Sequence, residues 1–231
     1  MTYWYPGVVE AARILKERFK GVPIILGGNY ASLCFEHALR NSSVDYVFRG
    51  DNIRELVRLI SAITNAGLNY EEAPSNFSDF PVPAYEFYQT NLYAAIRISR
   101  GCPFRCSYCA VGILADNFEQ KAPLKIIDEI KHFYSKFGIK DFAFYDDALL
   151  LNCDKHLKPI LEVIINEGIN CRFHTPNGLQ ARFLTQELAK LMYRAGFVEP
   201  ILSFETVDTL RQIEMGGKGY YRRSYPCNNL L

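Results

Sequence analysis

Strand and helix signals alternate along this chain in two separate series, and few architectures accept that order of elements. In the first series Gly7 to Lys20 carries Val8, Ala11, Ala12, Leu15 and Phe19 at helical spacing, and Pro23-Ile24-Ile25-Leu26 is a short apolar run closed by Gly27-Gly28. A helix over Ala31 to Arg40, a strand over Val44 to Phe48 stopped by Gly50, and a helix over Ile53 to Asn65 stopped by Gly67 follow. Residues 69–93 break the rhythm with Pro74, Pro81 and Pro83 among Asn, Ser and acidic residues, and read as a linker. The second series runs strand Ala94 to Ser99, helix Leu124 to Phe137, strand Asp141 to Tyr145, helix Lys155 to Glu167, strand Asn170 to His174, helix Gln186 to Ala195 and strand Val198 to Phe204. Alternation of this kind covers a parallel sheet with helices, so the expected class is α/β. The stretch from Gly216 carries neither period and is expected to be an irregular tail, residues 216–231.

At 231 residues, 49% hydrophobic and 22% charged, the chain can bury a sizeable core. Its 26 basic and 25 acidic side chains leave a net charge of +1, which offers no field to attract nucleic acid. The N-terminal residues lack a basic segment followed by an apolar stretch, and no apolar run approaches the roughly 18 residues that span a bilayer. No membrane association is expected, and a cytoplasmic location is the default expectation.

An odd number of cysteines, seven, makes a disulfide framework a poor account of them. Cys34, Cys153, Cys171 and Cys227 lie far apart among mostly apolar neighbours and read as small core residues. The other three crowd into Gly101-Cys102-Pro103-Phe104-Arg105-Cys106-Ser107-Tyr108-Cys109, directly after a strand. A short loop of this kind can turn three thiolates onto one centre and leave one coordination site open. Structural zinc is normally closed by four ligands, and ferredoxin-type motifs supply a fourth cysteine that is missing nearby. The two readings are an iron-sulfur cluster with an open iron, or zinc completed by a distant histidine.

The spacing C-x-x-x-C-x-x-C, with the aromatic Tyr108 before the last cysteine and a position after the first strand of a strand-helix series, resembles the signature of radical S-adenosylmethionine enzymes. Gly27-Gly28 and the following Asn29-Tyr30-Ala31-Ser32-Leu33 resemble the late part of the cobalamin-binding-like domain that precedes the radical domain in one branch. The resemblance implies a partial Rossmann-like, cobalamin-binding-like N-terminal domain (1–68), the linker (69–93) and a partial TIM-like barrel (94–215). Such a barrel carries its chemistry on the loops after its strands. It further implies that Cys102, Cys106 and Cys109 hold three irons of a 4Fe-4S cluster. S-adenosylmethionine then chelates the fourth, and reduction cleaves it to a 5'-deoxyadenosyl radical. A low-potential electron donor and a substrate of unknown class are implied partners.

Further cofactor-binding candidates come with the resemblance. Tyr108 adjoins the cluster, and Asp146 or Asp147, ending the second strand, stands where the family often binds the cofactor's amino group, although the usual Gly-Gly-Glu form is absent. Either aspartate could instead cap a helix. Ser203 and Glu205, ending the fourth strand, resemble the position contacting ribose or methionine, with Glu205 alternatively a first-turn helix residue. Arg182 could pair with a cofactor or substrate carboxylate, or form a surface salt bridge. His174 could face substrate, yet a hydrogen-bonded core or loop histidine is the preferred reading, and His37, His132 and His156 read as solvated or structural. No Asp-x-His-x-x-Gly loop precedes Gly27-Gly28, which speaks against cobalamin binding by this chain. Barrels of this family commonly have about six strand-helix units, and four are visible here, so truncation at both ends is the expectation.

Overall fold

The computed structural model describes residues 4–88, 92–115 and 117–216. The irregular tail from Gly217 onward, Cys227 included, lies outside the described residues. The fold is α/β, and its contacts divide into two units: residues up to Asp79 with the segment from Ala110, and residues from Phe80 to Cys109 with those from Asn117. No helix among the described residues is long and apolar enough to cross a membrane.

In the first unit α1 (Tyr5–Arg18) has Pro6 in its first turn, where a missing N–H costs nothing. Strands β1 (Ile25–Leu26) and β2 (Tyr46–Val47) pair in parallel. Between them the single helix expected over Ala31 to Arg40 is two, α2 (Gly28–Leu33) and α3 (Phe35–Asn41). Cys34 makes the break: its N–H donates to Tyr30 O at 2.9 Å, closing α2, while its carbonyl accepts from Ala38 N at 2.8 Å, opening α3. Helix α4 (Ile53–Thr64) is capped by Asn52, whose side chain accepts from Arg54 N and Glu55 N, and ends at Asn65 in the left-handed region.

The second unit is organised on a parallel sheet of β3 (Tyr93–Ile96), β6 (Asp141–Phe144) and β7 (Arg172–His174), in spatial order β3-β6-β7. Two short ladders flank it: β4 (Ser99–Arg100) runs antiparallel to β5 (Glu119–Gln120), and β8 (Leu179–Gln180) parallel to β9 (Leu202–Ser203). Helices α6 (Pro123–Phe137), α7 (Leu157–Asn166) and α8 (Gln186–Ala195) follow β5, β6 and β8 in the chain. Period-two alternation along the strands buries Ala94, Ile96, Phe142, Phe144 and Phe173 in the same core as Leu157, Ile160, Leu161 and Ile164 of α7. Phe144, Phe173 and Phe197 meet at ring separations of 5.2 to 5.8 Å.

The strand expected over Val198 to Phe204 is split. Val198 N still donates to Phe173 O at 3.0 Å, but Glu199 takes φ 47° and Pro200 has no N–H, so pairing resumes only at β9, now with β8. Short helices α5 (Val111–Leu114) and α9 (Thr209–Glu214) were not anticipated; Asp208 caps the latter, accepting from Arg211 N at 2.9 Å.

Candidate functional site

The cysteine loop leaves the sheet at β4 and returns along β5, so a two-residue antiparallel ladder closes its base. Cys109 N donates to Cys106 O at 3.0 Å, turning the last two cysteines back on each other. All three thiols are free; Cys102 and Cys106 are half-buried and Cys109 is exposed. Burial, with the nearby Cys106, Cys109 and Asp147, pushes the Cys102 thiol up. Among the described residues no three His, Cys, Asp or Glu side chains converge on a single ion. A zinc ion gathers its thiolates within about 4 Å of one another, whereas a cluster takes each on a different iron. Three thiols on one loop supply one ligand fewer than the four of a closed structural zinc site.

Within the loop, partial burial, followed by the facing Glu205 carboxylate and the Cys106 thiol, holds the Tyr108 proton on more tightly than usual. The structure thus brings three sequence-predicted residues together. Ser203, half-buried on β9, stands at Gly178: a Cβ on Gly178 would meet the Ser203 hydroxyl oxygen.

The two aspartates after β6 have different surroundings. Asp146 is buried, and its Oδ1 accepts from Ile98 N at 3.0 Å, from Ser99 Oγ at 2.7 Å and from Ser99 N, tying β6 to the start of β4; its Oδ2 has no partner. Burial drives its carboxyl up to about 7 against the Ser99 hydrogen bonds and the Arg97 charge. Asp147 is half-buried, 3.6 Å from Arg97, and its charge reaches Cys102.

The sign of the Asp146 effect follows from its raised folded-state value. Its contribution is fully present below its ordinary 3.8 and is lost as pH rises to about 7. Asp146→Asn therefore removes a decline of up to about 4 kcal/mol between those limits, read as the difference between the two proteins' denaturation midpoints across pH. Parallel profiles would contradict the burial argument.

His174 Nε2 donates to Asp141 Oδ1, 2.9 Å away, and Arg172 forks onto the same carboxylate, which pulls Asp141 down to about 2. His174 is thus a hydrogen-bonded strand residue. Of the other histidines, His37 bonds the Tyr30 hydroxyl at 2.7 Å, His132 packs against Phe133 and Phe137, and His156 is buried with Nε2 at Lys121 O, 2.8 Å away. Cys171 is a buried core residue, as its sequence neighbours imply, while Cys34 and Cys153 are half-buried.

Arg182 lies over the Phe104 ring and bonds Gln180 and Gly216. Phe104, Gln180 and Gly216 escaped the sequence reading. The only local signal was an aromatic residue inside the cysteine loop, because the partners lie far along the chain.

The radical SAM superfamily pattern matches residues 96–229. The chain is similar to an uncharacterized methyltransferase of Pyrococcus horikoshii, 24% identical over 90% of this chain and 50% of the relative. It is also similar to the anaerobic magnesium-protoporphyrin IX monomethyl ester cyclase of Synechocystis, 23% identical over 93% of this chain and 48% of the relative. The chain spans about half the length of these curated relatives. Among solved structures it resembles TsrM, a radical S-adenosylmethionine methyltransferase of Kitasatospora setae solved with tryptophan and a cofactor analogue. The TM-score is 0.62 at 20% identity, over 82% of this chain and 43% of that one.

Proposed function

This chain belongs to the radical SAM superfamily, and from that premise we propose that Cys102, Cys106 and Cys109 hold a 4Fe-4S cluster that binds S-adenosylmethionine. Bound there, the pair supplies reductive cleavage to a 5'-deoxyadenosyl radical, fed by a low-potential electron donor, for chemistry on an organic substrate. The carrying observation is the placement of three free thiols on one loop, with Asp147 and the Tyr108–Glu205 pair beside it. The β3-β6-β7 sheet is read as part of a TIM-like barrel, and the β1–β2 unit as part of a cobalamin-binding-like domain, with boundaries near residues 68 and 93.

The residues divide the work by their surroundings. Asp146, sealed and bonded to Ser99, holds the cysteine loop's entry strand to β6. Asp147, half-buried beside Arg97 and near Cys102, is the aspartate we assign to accept from the cofactor's amino group. Glu205 orients the Tyr108 ring through its hydroxyl, and Ser203 offers a further polar contact at the end of β9. Relatives named as a methyltransferase and as a cyclase support radical-dependent modification of a substrate carbon as the reaction class.

Anaerobic reconstitution with iron and sulfide tests this reading through the paramagnetic resonance of the reduced protein. A 4Fe-4S signal that shifts on adding S-adenosylmethionine supports it; one bound zinc, or a signal indifferent to the cofactor, overturns it. Asp147→Asn is expected to raise the cofactor concentration needed for half of that shift about tenfold, the loss of one charge-assisted hydrogen bond.

A further inference from the structure

Arg182 is enclosed by the second unit itself. Its guanidinium carbon lies 3.9 Å from the centre of the Phe104 ring and 5.0 Å from that of Phe183. Nε and Nη2 donate to Gln180 Oε1 at 3.1 and 2.7 Å, and Nη1 donates to Gly216 O at 3.0 Å. Phe104 sits between the first two cysteines of the loop. Gly216 runs against the second: a Cβ there would lie 2.9 Å from Cys106 Sγ and 3.0 Å from its Cα. One planar cation therefore grips the loop at the ring between Cys102 and Cys106 and braces the turn that packs on Cys106.

We propose that Arg182 is a positioning residue that clamps the cysteine loop and sets a fixed positive charge beside it, and that it does not serve as the partner of a cofactor or substrate carboxylate. An arginine suits this task because its flat face stacks on Phe104 while its edge forks between Gln180 and Gly216. A lysine keeps the charge and loses both the stack and the fork. The clamp exists in the cluster-free chain; the effect of the charge rests on the cluster reading above, since a nearby cation favours the more negative, reduced cluster.

The test compares the full chain with Arg182→Gln and Arg182→Lys. In the cluster-free proteins, iodoacetamide labelling of each cysteine is followed by peptide mass. Both variants are expected to speed labelling of Cys106 about three- to tenfold while buried Cys171 is unchanged, because the loop opens locally more often. After reconstitution Arg182→Gln is expected to lower the cluster's midpoint potential and Arg182→Lys to hold it, separating charge from geometry. Unchanged Cys106 labelling in a folded Arg182→Gln protein overturns the clamp. So does an additive effect of Arg182→Lys and Phe104→Leu, since two halves of one contact cannot be lost twice. If Arg182→Gln does not fold, Phe104→Leu alone gives the labelling result. If no variant and no parent takes up a cluster, the functional reading fails while the labelling still decides the clamp.

Discussion

Cys106→Ala is expected to bring bound iron to background after reconstitution and to abolish the reduced-cluster signal. Three thiols serve the site, and alanine offers no donor, so one iron loses its only protein ligand. The Gly216 backbone also runs close to Cys106, since a Cβ at Gly216 would lie 2.9 Å from its Sγ. The control is Cys171→Ala. Cys171 is buried in the hydrophobic core and burial pushes its thiol up to about 12, so it stays protonated and inert at neutral pH. Cys171→Ala should bind iron as the parent does. Full iron and an unaltered signal in Cys106→Ala would show that the loop is not the metal site.

Gly196→Ala is expected to lower stability by about 3 kcal/mol, read as a shift in the urea midpoint at constant slope. Gly196 ends α8 at φ 99°, a conformation costly for any L side chain. Its N–H closes the helix on Met192 O and Tyr193 O, and its carbonyl accepts from Phe173 N at 2.9 Å, fastening α8 to β7. A Cβ there would collide with the Cys171 carbonyl oxygen, a backbone atom that cannot rotate away. Gly178 offers the contrast, since its nearest obstruction is the Ser203 hydroxyl, a side-chain atom that can turn. A midpoint within about 0.5 kcal/mol of the parent would refute the close approach.

Elements with strong local signals were legible. Helix α8 occupies Gln186–Ala195 in both readings because Thr185 accepts from Leu188 N at its start and Gly196 stands ready for its end. Helix α6 begins at Pro123 and stops at Gly138, and the cysteine loop was recognisable from spacing alone. The run Val198 to Phe204 misled because its apolar residues conceal the positive φ of Glu199 and the missing donor of Pro200. The division of one expected helix at Cys34 had no glycine or proline to announce it.

The sequence by itself determined the α/β class, the order of the main strands and helices, and the three thiols, because hydrophobic period, caps and cysteine spacing act over a few residues. Only the tertiary structure decided that β8 pairs with β9, that Asp146 is sealed while Asp147 is half-buried, and that Arg182 stacks on Phe104 of the cysteine loop. Asp146 meets Ser99 across 47 positions and Arg182 meets Gly216 across 34. Contacts at such separations form when packing brings distant segments together, and no local pattern in the chain encodes which of several polar side chains will be there to receive them.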